Sequence, residues 1–219
     1  MTYEHLVMLL RMTLRSYVAL GAGGAVVGGA LWWRRNPSAC PYGQRFWVEA
    51  PHPFITRDRL REALAPKPGD RVLEVGPGTG YYALHTAEWV GADGTLEIFD
   101  LQQAMLDHTL RRARERGVAA TIRPTQGDAR SLPYEDASID AAYLVAVLGE
   151  IPDQDAALRE LARVLRPGGR LVVGELFGDP HWVAPSALRR RGEAAGLRFE
   201  QRTGRLLGHY TTFVKSAAG

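Results

Sequence analysis

From residue 54 onward, short apolar runs alternate with stretches whose apolar residues recur at helical spacing, whereas residues 6–33 read LVMLLRMTLRSYVALGAGGAVVGGALWW and carry no charge apart from Arg11 and Arg15. Between these textures lies a join rich in proline and aromatic residues, RRNPSACPYGQRFWVEAPHP at 34–53. Phe46, Trp47 and Val48 are poor linker residues, so it reads as a structured connector. The periodicity then predicts a helix capped by Thr56 and running to Ala65, a turn over Pro66 to Asp70, and a strand at 71–75. A helix at 80–90, a strand at 95–99 and a helix at 101–116 ended by Gly117 follow. Further strands are expected at 119–124, 139–144 and 170–176, with helices at 153–165 and 185–195 and a turn at Arg166-Pro167-Gly168-Gly169.

Strands separated by helices of this length imply crossover units and a parallel sheet. The final β-like runs, 197–202 and 206–214, have only Thr203, Gly204 and Arg205 between them. That is too short for a crossover, so the last strand must run antiparallel to its neighbour.

Composition narrows this picture. With 219 residues the chain accommodates one α/β domain and a short extension, and 46% apolar with 23% charged residues is a folding composition. Arginine dominates the basic side, 25 against the two lysines Lys67 and Lys215, and with 24 acidic residues the net charge is only +3. Its clusters, 111–116 and 189–191, fall on predicted helices as solvated faces, which argues against a nucleic-acid partner. Cys40 is the only cysteine, which excludes an intrachain disulfide and a cysteine metal cluster and fits a reducing compartment. No His, Cys or Asp spacing suggests a metal site.

The chemistry concentrates in VLEVGPGTGYYA at 72–83. A strand ending in Glu74-Val75 and then Gly76, Pro77, Gly78 and Gly80 places a ligand at the carboxyl edge of the sheet, where missing Cβ atoms let the backbone turn and approach it. A phosphate loop would need Gly-Lys-Ser/Thr, and the dinucleotide fingerprint sets its third glycine three residues after the second; here the interval is two. Asp100, ending the next strand 20 residues beyond Gly80, can accept hydrogen bonds from both hydroxyls of a ribose. Gly127-Asp128-Ala129 follows the third strand, where a carboxylate could meet an adenine amino group.

LEVGPGTG at 73–80, Asp100, GDARSLPYEDASID at 127–140, LGEIPD at 148–153 and ELARVLRPGGRLVVGE at 160–175 together resemble the class I S-adenosylmethionine-dependent methyltransferases, over roughly residues 56–214. The run at 165–169 is most similar to the branch that includes quinone-biosynthesis and small-molecule enzymes. The resemblance implies a Rossmann-like, doubly wound α/β sheet of seven strands with the last one antiparallel. It also implies S-adenosylmethionine as methyl donor, leaving as S-adenosylhomocysteine. Gly76, Gly78 and Gly80 would line its methionine part, Asp100 its ribose, Leu101, Asp128 and Ala129 its adenine, and Val145 and Ala146 its sulfonium, with Glu74, Pro77 and Gly127 completing the set. Many relatives carry His-His or Asn-His where this chain has Gly149-Glu150, which unsettles any catalytic role carried over to that position.

A general base is needed only if the acceptor must lose a proton. His181, at the carboxyl edge after the fifth strand, is the first candidate, followed by Glu150, Tyr143 and His52. Tyr42, Phe46, Trp47, Pro51 and Phe54 offer an aromatic lining for a hydrophobic, quinone- or lipid-like acceptor. The expected organisation is therefore an apolar helix within 1–35, a connector capping the substrate side at 36–55, and a methyltransferase domain at 56–219. The 18 uncharged residues 16–33 would extend about 27 Å as a helix, close to the roughly 30 Å hydrocarbon core. Gly24 and Gly28 would allow two such helices to pair. Trp32, Trp33, Arg34 and Arg35 fit the cytosolic interface, so a membrane anchor with the catalytic domain on the cytoplasmic side is expected. An oxidoreductase using a nicotinamide cofactor and a non-catalytic nucleoside-binding regulator are the rival readings.

Overall fold

In the computed structural model the described residues are 36–49, 52–205 and 207–216. The expected apolar helix and anchor at 1–35 lie outside them. Among the described residues no helix is long and apolar enough to cross a membrane.

Residues Ser38–Gly219 form one compact unit. Its seven-stranded sheet comprises β1 (Arg71–Val75), β2 (Thr95–Asp100), β3 (Ile122–Gln126), β4 (Ile139–Val145), β5 (Leu165–Leu176), β6 (Leu197–Arg205) and β7 (Gly208–Lys215). The order is β3-β2-β1-β4-β5-β7-β6. The β1, β2, β3, β4 and β5 pairings are parallel, and β7 lies antiparallel between β5 and β6. The reversal expected from the short final connection is therefore present.

The helices are α1 (Phe46–Glu49), α2 (Arg57–Leu64), α3 (Ala83–Val90), α4 (Gln103–Arg116), α5 (Gln154–Val164) and α6 (Pro185–Ala194). Local chemistry sets their ends. The Thr56 side chain accepts from the Arg59 amide at the start of α2. Asp153 accepts from the Ala156 amide at the start of α5, Gly117 ends α4 at φ 77°, and Pro185 opens α6. Residues of α2, α3 and α4 share one core with Val72, Ile98 and Tyr143, and those of α5 and α6 share a second with Leu73, Val173 and Phe213. Successive strand residues thus feed opposite cores, which is why the central strands carry apolar residues on both faces.

Three boundaries differ from expectation. Residues Ala119–Thr121 form a 3-10 turn and β3 starts only at Ile122, because its register pairs Leu96 with Ile122 and Asp100 with Gln126. Pro124 is tolerated there since β3 is an edge strand. The expected turn at 166–169 lies within β5, where the register passes from Ile139↔Leu165 to Ala141↔Arg170 and the intervening residues bulge out. Finally, β6 continues through Thr203-Gly204-Arg205, with Arg205 opposite Gly208.

Candidate active site at the carboxyl edge of the sheet

The sheet reverses its winding between β1 and β4, and a crevice opens where their carboxyl ends part. Gly76, Gly78 and Gly80 have φ of 70°, 55° and 84°, conformations that an L side chain would strain. A Cβ on Gly76 would stand 2.5 Å from Val147 Cγ2, and one on Gly80 3.0 Å from Thr109 Cγ2. The loop is tied down from behind: Thr109 donates to the Gly78 carbonyl at 3.0 Å and Arg112 to that of Thr79 at 2.8 Å. Pro77 is buried within it.

Glu74, ahead of this loop, is 2% exposed and accepts a 2.7 Å hydrogen bond from Tyr143. Burial pushes its carboxyl up to about 8, against the opposing Tyr143 bond and helped by the nearby Asp100 charge. Tyr143, a candidate catalytic group by sequence, has no exposed surface, and its hydroxyl lies 2.9 Å from Thr86 Oγ1. Its phenol thus lies in the interior, between Glu74 and Thr86.

Asp100 is 8% exposed at the end of β2. Burial lifts its carboxyl to about 6, countered by the amides of Gln102, Gly78 and Leu101. The Leu101 side chain beside it is exposed. Asp128 is engaged differently from expectation. Its carboxylate accepts from the Arg130 amide at 2.9 Å and from the Arg130 guanidinium at 2.6 Å, which holds it below the usual carboxylate range. An adenine amino group would share this acceptor with Arg130. Gly127 has a packing reason, since its Cβ would lie 2.5 Å from Phe99 Cζ. Ala129 is buried in the core against α5.

Val145 ends β4, and Ala146 adopts φ 56° while donating its amide to Gly174 O at 2.8 Å. A non-glycine residue in that region is uncommon, and such strain clusters at functional sites. Just beyond, a Cβ on Gly149 would fall 1.6 Å from the His181 carbonyl oxygen. The next residue, Glu150, accepts from the Cys40 amide at 3.3 Å, and burial raises its carboxyl to about 8 with the charges of Asp179 and Asp100 adding to the effect. His181 is buried and donates its amide to Asp179 at 2.7 Å. The fold thus gathers His181, Glu150, Asp179 and Asp100 at one edge. His52 lies apart from them, its ring 4.7 Å from that of Tyr81 and 6.0 Å from that of Tyr82.

Gln102 escaped the sequence reading. Its side chain donates to Cys40 O at 2.9 Å and accepts from Tyr42 N at 3.1 Å, while its amide donates to Asp100 at 2.8 Å. A side-chain amide here plays the part of a strand partner and docks the connector beside the Asp100 carboxylate. Tyr42 also meets His108 Nδ1 at 3.1 Å, and Phe46 and Phe54 remain exposed. The Trp47 side chain and Pro51 lie outside the described structure. Among the described residues no cluster of His, Cys, Asp and Glu could hold a metal.

Residues 72–169 match the family model of a methyltransferase domain. Curated relatives include the ubiquinone/menaquinone biosynthesis C-methyltransferase UbiE of Cellvibrio japonicus, 39% identical over 120 residues, covering 55% of this chain and 48% of that protein. The 2-phytyl-1,4-naphtoquinone methyltransferase of Synechococcus elongatus is 43% identical over 136 residues, covering 56% and 58%. The chain thus spans about half the length of these relatives. A solved methyltransferase of Aquifex aeolicus superposes with a TM-score of 0.74 at 17% identity, covering 81% of this chain and all of that one. The [4+2]-cyclase SpnF superposes at 0.66 with 23% identity, covering 74% and 80%. Such low identities establish the fold alone.

Proposed function

We infer from the methyltransferase domain at 72–169 that the chain is an S-adenosylmethionine-dependent methyltransferase, and we propose that its acceptor is a hydrophobic ring of quinol type. The observation that carries the first part is the placement of a nearly buried Asp100 carboxylate beside a glycine loop whose missing Cβ atoms leave room for a ligand. Asp100 would hold the ribose, Gly76 to Gly80 the amino-acid part, and Leu101 one face of the base. When bound, the sulfonium supplies a methyl group already joined to a good leaving group. The protein's task is then chiefly to hold the acceptor atom in line and keep water out, which can lower the barrier by about 7–11 kcal/mol. Where the acceptor must lose a proton, Glu150 or His181 would take it. The acceptor class is supported by the quinone biosynthesis named for one relative, by the 2-phytyl-1,4-naphtoquinone named for the other, and by the exposed Phe46 and Phe54 on the connector side.

The test is transfer of labelled methyl from S-adenosylmethionine to a dihydroxynaphthalene bearing a short prenyl chain, compared with small, fully polar acceptors. Label in the prenylated ring alone is the expected result. Equal labelling of the polar acceptors would overturn the acceptor class, and donor binding without transfer to any acceptor would favour a nucleoside-binding regulator.

We further propose that residues 16–33 attach the enzyme to the cytoplasmic side of a membrane, with Gly24 and Gly28 allowing two copies to pair, because that stretch is uncharged, ends in Trp32 and Trp33 and is followed by Arg34. Full-length protein is expected to pellet with membranes and to be released by detergent but not by salt. Monodisperse full-length protein in detergent-free buffer would exclude the anchor.

A further inference from the structure

On the far side of the same sheet edge, β5 and β7 bring three polar side chains to one face. Glu175 is paired with His209 across the antiparallel ladder, and Thr211, two residues along β7, is paired with Val173. Leu171, Val173 and Phe213 occupy this face by the two-residue alternation and belong to the core shared with α5 and α6. Directly opposed residues such as Glu175 and His209 have Cβ atoms about 4.5–5.5 Å apart. Glu175, His209 and Thr211 are 1%, 2% and 1% exposed.

Their hydrogen bonding is incomplete. Glu175 Oε2 accepts from the Val183 amide at 3.0 Å, but Glu175 Oε1, His209 Nε2 and Thr211 Oγ1 have no partner. Trp182 Nε1, in the segment that bonds to Glu175, has none either. Leaving a buried polar group unpaired costs about 1–3 kcal/mol, and such groups are few in folded proteins. Several together call for a partner able both to give and to accept hydrogen bonds.

Burial keeps the Glu175 carboxyl protonated up to about 8, with the charge of Asp179 adding to this, while burial and then Arg202 push the His209 imidazole down to about 4. At neutral pH both groups are uncharged, one a donor and the other a donor or acceptor according to its tautomer. Such a pair suits a neutral hydroxyl and has no cation to offer a phosphate or carboxylate. Its location also fits, because Glu175 directly follows Gly174, whose carbonyl takes the amide of the strained Ala146.

Resting on the reading of the acceptor as a hydrophobic ring, we propose that Glu175 and His209 form the polar end of the acceptor site and hold a ring hydroxyl of that acceptor. Thr211 completes the set. Following Glu175 in the chain, the segment Phe177–Trp182 turns at Gly178, φ 106°, and its two terminal aromatic rings meet edge to face at 5.4 Å.

The experiment titrates full-length protein, in detergent and with S-adenosylhomocysteine bound, with a dihydroxynaphthalene kept reduced, and separately with its dimethyl ether. His209→Leu is expected to weaken binding of the diol at least about tenfold, a typical loss for one buried hydrogen bond of roughly 1.4 kcal/mol, and to leave the ether unchanged. Glu175→Gln can still donate and keeps an oxygen for Val183, so it stays within about threefold of the wild type. Unchanged binding of S-adenosylhomocysteine reports that the fold is intact; if His209→Leu loses it, the near-isosteric Thr211→Val is used, with a loss of about threefold or more expected for the diol alone. Equal effects on both probes, or none on either, would mean that these atoms hold only ordered water and would overturn the inference while leaving the acceptor class in place. A wild-type protein that binds S-adenosylhomocysteine but neither naphthalene would overturn both.

Discussion

Asp100→Ala is expected to weaken binding of S-adenosylmethionine and S-adenosylhomocysteine by about a hundredfold, as two charge-assisted hydrogen bonds together contribute on the order of 3 kcal/mol. The carboxylate is only 8% exposed, so water competes poorly for it, and its seat at the end of β2 is fixed by the amides around it. Asp100→Asn keeps one acceptor and should lose about tenfold. A pH signature separates this role from general damage. In the ligand-free protein burial raises the Asp100 carboxyl to about 6, so below that pH the group is protonated and a ligand using its ionised form must first displace the proton. Affinity of the wild type should then fall about tenfold for each pH unit below 6, and the alanine variant should lose this dependence. Calorimetric titration between mildly acidic and neutral pH measures both effects. Unchanged affinity in Asp100→Ala would remove the ribose assignment, and tight binding of NADH without binding of the sulfonium would point to an oxidoreductase.

Features legible in the sequence were those set by neighbouring residues. Val72, Leu73 and Val75 put apolar side chains on both faces because β1 lies between β2 and β4, and the glycines that follow need their conformations for local reasons. The hairpin followed from a connection too short to cross the sheet. β3 was misplaced because an edge strand buries little: of its residues only Ile122 is fully buried, so the pattern that marks a central strand is missing. At the site, Asp100 announced itself as an acid at a strand end. Tyr143 and Glu74 are 69 residues apart, and only the parallel pairing of β1 with β4 brings them together. Gln102 was invisible for another reason: it holds backbone atoms of Cys40 and Tyr42, and backbone groups leave no mark in a sequence. Asp128 shows the converse. Its partner Arg130 is two residues away, so this ion pair is local and readable from the sequence, and any ligand at Asp128 would share the carboxylate with it.

Gly149→Ala is expected to reduce methyl transfer by about a hundredfold while leaving donor affinity within a few-fold of the wild type, since misplacing a positioned group by about 1 Å can cost that much in rate. The added Cβ would stand 1.6 Å from the His181 carbonyl oxygen and 2.6 Å from its carbonyl carbon. These are backbone atoms, so no side-chain rotation relieves the clash, and either the 3-10 turn Leu148–Glu150 or the segment through His181 must move. Movement of the first displaces Glu150 from the Cys40 amide; movement of the second disturbs the bonds from His181 to Asp179 and from Val183 to Glu175. Asp100 and the glycine loop are carried by β2 and β1, so the donor side is expected to shift less than the Glu150 and His181 side. Overpacking of this kind costs about 1–3 kcal/mol, a fall in melting temperature of several degrees for a domain of this size. Here the His181 main chain fills the space that a side chain at 149 would need. An alanine variant with wild-type turnover would show that the contact is relieved at no cost and that the position of the His181 segment is immaterial to catalysis.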